Sequence, residues 1–385
     1  MMHDIIPLFQ EKLVPVDHNK ITWLPRKIRR VVEEAACIKF GDHSRVKKWK
    51  RRRRRGSATE SVTLTTMAGV WKKFAQNGTG PGARSSHAIT VVGTKAYAFG
   101  GEFTPRVPVD NKMYSFDLTS ETWSVLDCTG DVPPPRVGVT MVSIANTIYV
   151  FGGRDYDHKE LNEFYSFDTL TNNWTLLSSG ETSPPHRSYH SMTADEKQIY
   201  IFGGCGNSGR LNDLWAYDTV AGQWTQLPSP GETCRPRGGP GLAVAGGKIW
   251  VVYGFAGMEV DDVHYFDLKT EKWSLVETTG EKPSARSVFS AVAIGKSVVM
   301  YGGEVDPSDL GHLGAGKFSA DVYALDTESL AWTKLDDASD QHPGPRGWCA
   351  FSAGEMDGKS GILVFGGNSP TNDRLGDLHF FSPSL

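Results

Sequence analysis

From Trp71 to the C-terminus the chain repeats itself every 50 or so residues, and nothing else in it limits the fold so strongly. Six stretches run as an apolar strand closed by glycine: Ala96 to Gly101, Ile148 to Gly153, Ile199 to Gly204, Ile249 to Gly254, Val298 to Gly303 and Ile362 to Gly367. The fourth carries Tyr253-Gly254 where the others carry Gly-Gly. Downstream comes a tyrosine with an aspartate, as in Tyr114 with Asp117, Tyr165 with Asp168, Tyr217 with Asp218, Tyr265 with Asp267 and Tyr323 with Asp326. A tryptophan follows at Trp123, Trp174, Trp224, Trp273 and Trp332. Each unit opens on an arginine in a small polar stretch, at Arg84, Arg136, Arg187, Arg237, Arg286 and Arg346. Six recurrences mark these arginines as scaffold.

The order within a unit predicts four antiparallel strands, so the chain from 67 to 385 reads as an all-β domain of six four-stranded units. The sixth unit stops after its third strand, Asp377 to Phe381, while Trp71 to Phe74 is a spare fourth strand at the other end. Pairing the two closes a ring and removes the exposed edges of an open row of sheets.

Residues 1–66 are a different kind of polypeptide. They hold 16 Lys+Arg against 7 Asp+Glu, a balance of +9, and the remainder holds 25 against 37, a balance of −12, which together give the net −3. A short amphipathic helix is expected around Ile28 to Phe40, and Lys47 to Arg55 is a basic run. Such a run suits a disordered basic extension, or a nuclear-import signal read by acidic partners. Five scattered cysteines without CxxC spacing fit a reducing cytoplasm, with nuclear residence added if the 47–55 run is retained. No run of 18 apolar residues and no secretory core predicts a membrane span or export.

In an antiparallel unit the connections alternate between the two ends, so the loops leading into first strands and those joining second to third strands share one rim. That rim should gather Glu102, Arg154, Arg210 and Glu304 from the second-to-third loops, with Arg187, Tyr189 and Trp348 from the starts of first strands. Arg154 and Arg210 stand outside the repeat; two guanidiniums at one mouth would bind a sulfate, phosphate or carboxylate. A local ion pair of Arg154 with Asp155 is the alternative. The loop after Tyr301 places Glu304, Asp306, Asp309 and His312 within nine positions, a composition suited to Fe(II), Mn(II) or Zn(II), or to a solvated acidic loop. His87, His190 and His264 are weaker candidates. No GxSxG, HExxH, Walker A or GxGxxG occurs in a suitable context.

The repeat resembles kelch, which implies a six-bladed β-propeller closed by an N-terminal strand, with the basic extension ahead of it. Within kelch proteins the chain resembles the plant specifier proteins, the nitrile-specifier, epithiospecifier and thiocyanate-forming group. The resemblance is carried by GPGARSSHA at 80–88, FGGE at 99–102, FGGRD at 151–155, GKIWVVYGFA at 247–256, KPSARSVF at 282–289, PRGW at 345–348 and GGNSPTNDRLGDL at 366–378. It implies Fe(II)-dependent diversion of the sulfated aglucone that myrosinase releases from glucosinolates, here towards simple nitriles. It also implies Arg154 and Arg210 as catalytic and sulfate-binding residues, with Tyr189, Trp348 and Glu102 at the substrate. Iron falls to an ExxxDxxxH pattern, of which Glu304 and His312 keep the ends. Ser308 holds the middle place, so either Asp309 after a one-residue shift or Asp306 completes the set, or the iron site is incomplete and the chain is a non-specifier relative. The partners implied are a small anionic sulfated substrate and myrosinase, with neither membrane nor nucleic acid expected at the propeller. The competing expectation is a non-enzymatic kelch scaffold that binds a protein on the same rim.

Overall fold

A computed structural model describes residues 68–337 and 340–385 of the 385-residue chain. The basic extension, its expected helix and the 47–55 run lie outside the described residues. The described residues fall within Thr66–Leu385, the second of two units into which the chain divides.

They form six blades of four antiparallel strands. Blade 1 runs Ala88–Val92, Lys95–Phe99, Tyr114–Asp117 and Thr122–Val125, and the next four repeat that order. Blade 6 takes three strands from the C-terminus and its fourth from Ala68–Lys73, which pairs antiparallel with Arg374–Pro383 in the register Trp71↔Phe381. The ring therefore closes as the strand count predicts. Trp71 is buried against Tyr301 and Phe381, at 4.8 and 5.0 Å between ring centroids, which seals blade 6 to blade 5. The other sheet tryptophans do the same between other blades, and each apolar cluster spans a seam.

The repeat residues have physical reasons. Each aspartate after the tyrosine accepts hydrogen bonds from backbone N–H groups of the following turn, as Asp117 does from Thr119 (3.0 Å) and Ser120 (2.8 Å). Each repeat arginine is buried and donates to the carbonyl of the residue 16 or 20 positions on, for example Arg136 to Gly152 at 3.1 Å and Arg346 to Gly366 at 3.1 Å. Five of the six also pair directly with a carboxylate: Asp110, Glu163, Asp213, Asp262 or Asp377. Their scaffold role, Arg187 included, is thus structural. His264 and His379 hold the carboxylates of Asp262 and Asp377 at 2.8 Å.

The glycine closing each second strand is left-handed, with φ of +74° at Gly100 and +71° at Gly302. Tyr253, its counterpart in blade 4, takes φ +57° with a full side chain. Burial of its ring against Trp332, at 5.7 Å, and donation from its hydroxyl to Pro283 O at 3.1 Å offset the strain of that conformation. Among the described residues no helix is long and apolar enough to cross a membrane.

Candidate functional site

The central channel opens on a closed ring of backbone hydrogen bonds. Ser86, Gly138, Tyr189, Gly239, Val288 and Trp348, one from each blade, donate head to tail: Ser86 N to Trp348 O (2.9 Å), Gly138 N to Ser86 O (2.7 Å), and so round to Trp348 N to Val288 O (3.0 Å). All six are left-handed, with φ between +48° and +63°. The conformation turns each chain across the channel before it enters its first strand. Below the ring, the channel holds a cavity of about 320 Å³ lined by the first strands.

Two of the six side chains dominate the opening. The Tyr189 ring extends from blade 3 over Gly138 of blade 2, where an added Cβ would lie 3.1 Å from it. Trp348 meets it edge to face at 5.4 Å. Burial, reinforced by the charge of Glu102, pushes the Tyr189 phenol well above its usual value, so it is a hydroxyl and not a phenolate.

Around this ring lie two tiers set by isolated bridges. The inner tier is the residue after each glycine-closed strand, Glu102, Arg154, Cys205, Phe255, Glu304 and Asn368, bonded to the chain leading into its own first strand. Backbone pairing assigns each an outer partner: Pro108, Glu160, Arg210, Glu259, Phe318 and Arg374. Four outer side chains lean onto the next blade. Arg210 lies over the Phe255 ring at 4.5 Å, and Glu259 accepts from Ser287 Oγ at 3.1 Å. Phe318 covers Gly347, and Arg374 comes within 3.5 Å of Glu102.

Glu102, Arg154, Arg210, Glu304, Tyr189 and Trp348 thus lie on one rim, whereas Arg187, expected with them, is buried within its blade against Asp213. Arg154 pairs with Glu160, not Asp155, whose carboxylate instead accepts from Lys159 N at 2.9 Å. Burial works against the Arg154 charge, and Glu160 outweighs it, raising its pKa. Arg154 and Arg210 both reach the half-buried Cys205 thiol electrostatically, although burial still raises its pKa. Glu102 is buried, takes Ser85 and Ser86 hydroxyls at 3.3 Å, and accepts from Arg106 N at 2.5 Å. His87 and His190 pack edge-on to Phe365 and Phe151 at 5.0 and 5.4 Å, and both pKa values are held well below the usual imidazole range by burial.

The loop expected to hold metal divides. Glu304 is buried beneath Gly316, and burial, with the charge of Asp306 added, pushes its pKa up to about 7. Asp306 is exposed and pairs with Lys317 at 2.5 Å; Asp309 is exposed. Ser308 Oγ accepts from Leu310 N at 3.1 Å. The side chain of His312 lies outside the described residues. Among the described residues no group of three or more His, Cys, Asp or Glu is placed to hold a metal ion. What does suit a hard cation is a buried carboxylate left without one. Glu304 is such a group, and the half-buried Glu259 offers a second oxygen, its Oε2, which is buried with no hydrogen-bond partner. Burial, with the charge of Glu304 added, pushes the pKa of Glu259 up to about 8.

Glu259, Arg374 and Glu160 are absent from the sequence reading. A signal for them does exist. In blades 2–6 the outer residue sits three positions before an acidic residue beside the scaffold arginine, as Glu160 before Glu163, Glu259 before Asp262 and Arg374 before Asp377.

Residues 86–303 match the family described as the KLHDC2/KLHL20/DRC7 kelch-repeats domain. The chain is 41% identical over 342 residues to the N-(sulfonatooxy)prop-2-enimidothioate sulfolyase of Thlaspi arvense, covering 82% of this chain and 98% of the relative. It is 26% identical to kelch domain-containing protein 3 of Bos taurus over 78% of this chain and 68% of that one. Against acyl-CoA-binding domain-containing protein 4 of Arabidopsis thaliana, 25% identical over 82% of this chain, it spans only 48% of the relative. A solved structure titled "Structure of YjhT" has the same fold, with a TM-score of 0.61 and 16% identity over 77% of this chain and 94% of that one.

Proposed function

This chain belongs to the plant kelch-repeat specifier-protein family, and from that membership we propose that it diverts the myrosinase-released glucosinolate aglucone, a thiohydroximate-O-sulfate, to the simple nitrile with Fe(II). The Thlaspi relative is named for an N-(sulfonatooxy) imidothioate, the same functional group. The observation that carries the reading is the placement of Arg154 and Arg210 on consecutive blades, both near enough to act electrostatically on Cys205, on the rim that also carries the Tyr189–Trp348 aromatic pair.

In this reading the two guanidiniums bind the sulfate ester and take up the charge that grows on it as the N–O bond breaks. That bond's electron pair leaves with sulfate, the C–S pair completes the nitrile triple bond, and sulfur departs in the zero oxidation state. Glu160 fixes one edge of Arg154, and the Phe255 face fixes the plane of Arg210, so neither has to be ordered during the reaction. Tyr189 and Trp348 supply apolar surface for the aglucone side chain, and the Tyr189 hydroxyl remains a donor at neutral pH. Fe(II), with Glu304 as its buried donor from the expected loop, would supply a Lewis acid with open positions for the thiohydroximate sulfur.

The test adds protein and Fe(II) to myrosinase and an aliphatic glucosinolate and quantifies nitrile against isothiocyanate by gas chromatography. Nitrile that needs both protein and iron, and that falls at least tenfold in Arg154→Ala with Arg210→Ala, supports the reading. Unchanged yield in that double variant would overturn the assigned roles. A second reading, a scaffold for a protein partner, is favoured by exposed Phe103, Tyr156, Met258, Leu310 and Leu313 on the same rim. It gains if neither nitrile formation nor iron binding is found.

A further inference from the structure

We propose that Glu259, from blade 4, is the second carboxylate ligand of the cation site that Glu304 begins in blade 5. The assignment rests on the Fe(II) reading above and deepens it, since it takes the second donor from a different blade and not from the loop that follows Tyr301.

Three observations place Glu259 there. Its tier leans forward: Arg210 reaches Phe255, Phe318 reaches Gly347 and Arg374 reaches Glu102, in each case the next blade. By the same register the side chain of Glu259 is delivered to blade 5. Ser287 is the joint between the two acids. Its backbone pairs with Glu304 in both directions, at 3.0 and 2.9 Å, while its hydroxyl holds Glu259 Oε1 at 3.1 Å. That single hydrogen bond orients the carboxylate and leaves Oε2 buried with no partner. Among the described residues neither acid makes an ion pair with Lys, Arg or His, although the Arg210 charge acts on the half-buried Glu259, and a buried carboxylate oxygen without a partner beside a second carboxylate is unfavourable unless a metal or a proton joins them.

The acids of the loop itself are turned elsewhere. Asp306 is committed to Lys317, and Asp309 stands in solvent. The Ser308 hydroxyl, at the place where the family pattern has aspartate, bonds to its own loop. Two hard oxygen donors from adjacent blades suit Fe(II) or Mn(II), and such a pair leaves most of the coordination sphere for substrate and water.

Mn(II) titration of the full chain, followed by electron paramagnetic resonance, and anaerobic Fe(II) calorimetry test this without turnover. Glu259→Gln should weaken binding on the order of 100-fold, Glu259→Asp by less, and Asp309→Asn should stay within about twofold of the parent. Thermal melts of each variant identify any that fails to fold, and the Asp variant keeps the charge in that event. A parent that binds and a folded Glu259→Gln that binds equally well would overturn this assignment and leave the Fe(II) reading standing. Loss of binding in Asp309→Asn alone would do the same. A parent that binds neither metal, with the two acids sharing a proton, overturns both.

Discussion

Arg374 Nη2 lies 3.5 Å from Glu102 Oε1 across the seam where blade 6 meets blade 1. The Arg374 side chain is 4% exposed and its Nη1 donates to Asn368 Oδ1 and to Asn372 O and Oδ1, each at 3.1 Å. One buried cation thus ties the last second-to-third loop to the first. Replacing it with methionine leaves Glu102 buried without its counter-charge and should cost about 2–3 kcal/mol in urea unfolding. A loss below about 0.5 kcal/mol would show that the seam does not depend on the pair.

Closure by the N-terminal strand has its own signature. Trp71 is 1% exposed while its neighbour Val70 is 55% exposed. Trp71→Ala should therefore destabilise the propeller by about 3–5 kcal/mol, and Val70→Ala should change it by less than about 0.5 kcal/mol. Equal effects would argue against blade 6 being completed by this strand.

Gly138 is glycine for two reasons, its φ of +63° and the Tyr189 ring above it. Alanine there should cost about 1–2 kcal/mol for the backbone alone and should also displace the Tyr189 ring from Trp348, which near-ultraviolet circular dichroism would register. Gly93, at φ +58° with open space around its Cβ position, is the control. Gly93→Ala should show the backbone cost and no aromatic change.

Stability without added metal should depend on pH through Glu259 and Glu304. Their folded pKa values, about 8 and about 7, lie above the unfolded value of 4.5, so between these limits the folded state binds more protons. Stability is then fully present below pH 4.5 for these groups and is lost as pH rises through 7 to 8. Glu259→Gln with Glu304→Gln should flatten that slope in denaturation measured from pH 5 to pH 8.5. An unchanged slope would mean that neither acid carries the effect.

Nitrile yield should separate the aromatic pair from the arginines. Trp348→Ala removes apolar surface but leaves in place Arg154 and Arg210, the guanidiniums proposed to bind the sulfate, so the expected loss is graded with glucosinolate side-chain size, about 3- to 10-fold, where the arginine variants lose yield for all substrates. Uniform loss across side chains would remove Trp348 from that role.

The architecture was legible because a propeller is a local code. Strand, glycine, tyrosine-aspartate turn and tryptophan recur at fixed spacing, each satisfied within its own blade or the next, so periodicity alone yields the blade count, the closing strand and the scaffold role of the six arginines. The same alternation of connections brings Arg154, Tyr189, Glu304 and Trp348 to one rim before any coordinate is known. What the rim does with them was decided only in three dimensions. Second-to-third loops differ in length, so the residue bonded opposite Glu304 is Phe318 while that opposite Phe255 is Glu259, and the three-residue spacing to the following acid, which marks the outer residues, does not reveal onto which blade their side chains lean. The apparent cluster of acids after Tyr301 dispersed because a bulge between Glu304 and Asp306 breaks the alternation that would otherwise put both on one face, sending Glu304 into the rim and Asp306 out to Lys317. Its unpaired companion came from another blade, 45 residues earlier in the chain, through a forward lean that belongs to the packing of blade on blade and has no counterpart in the order of the residues.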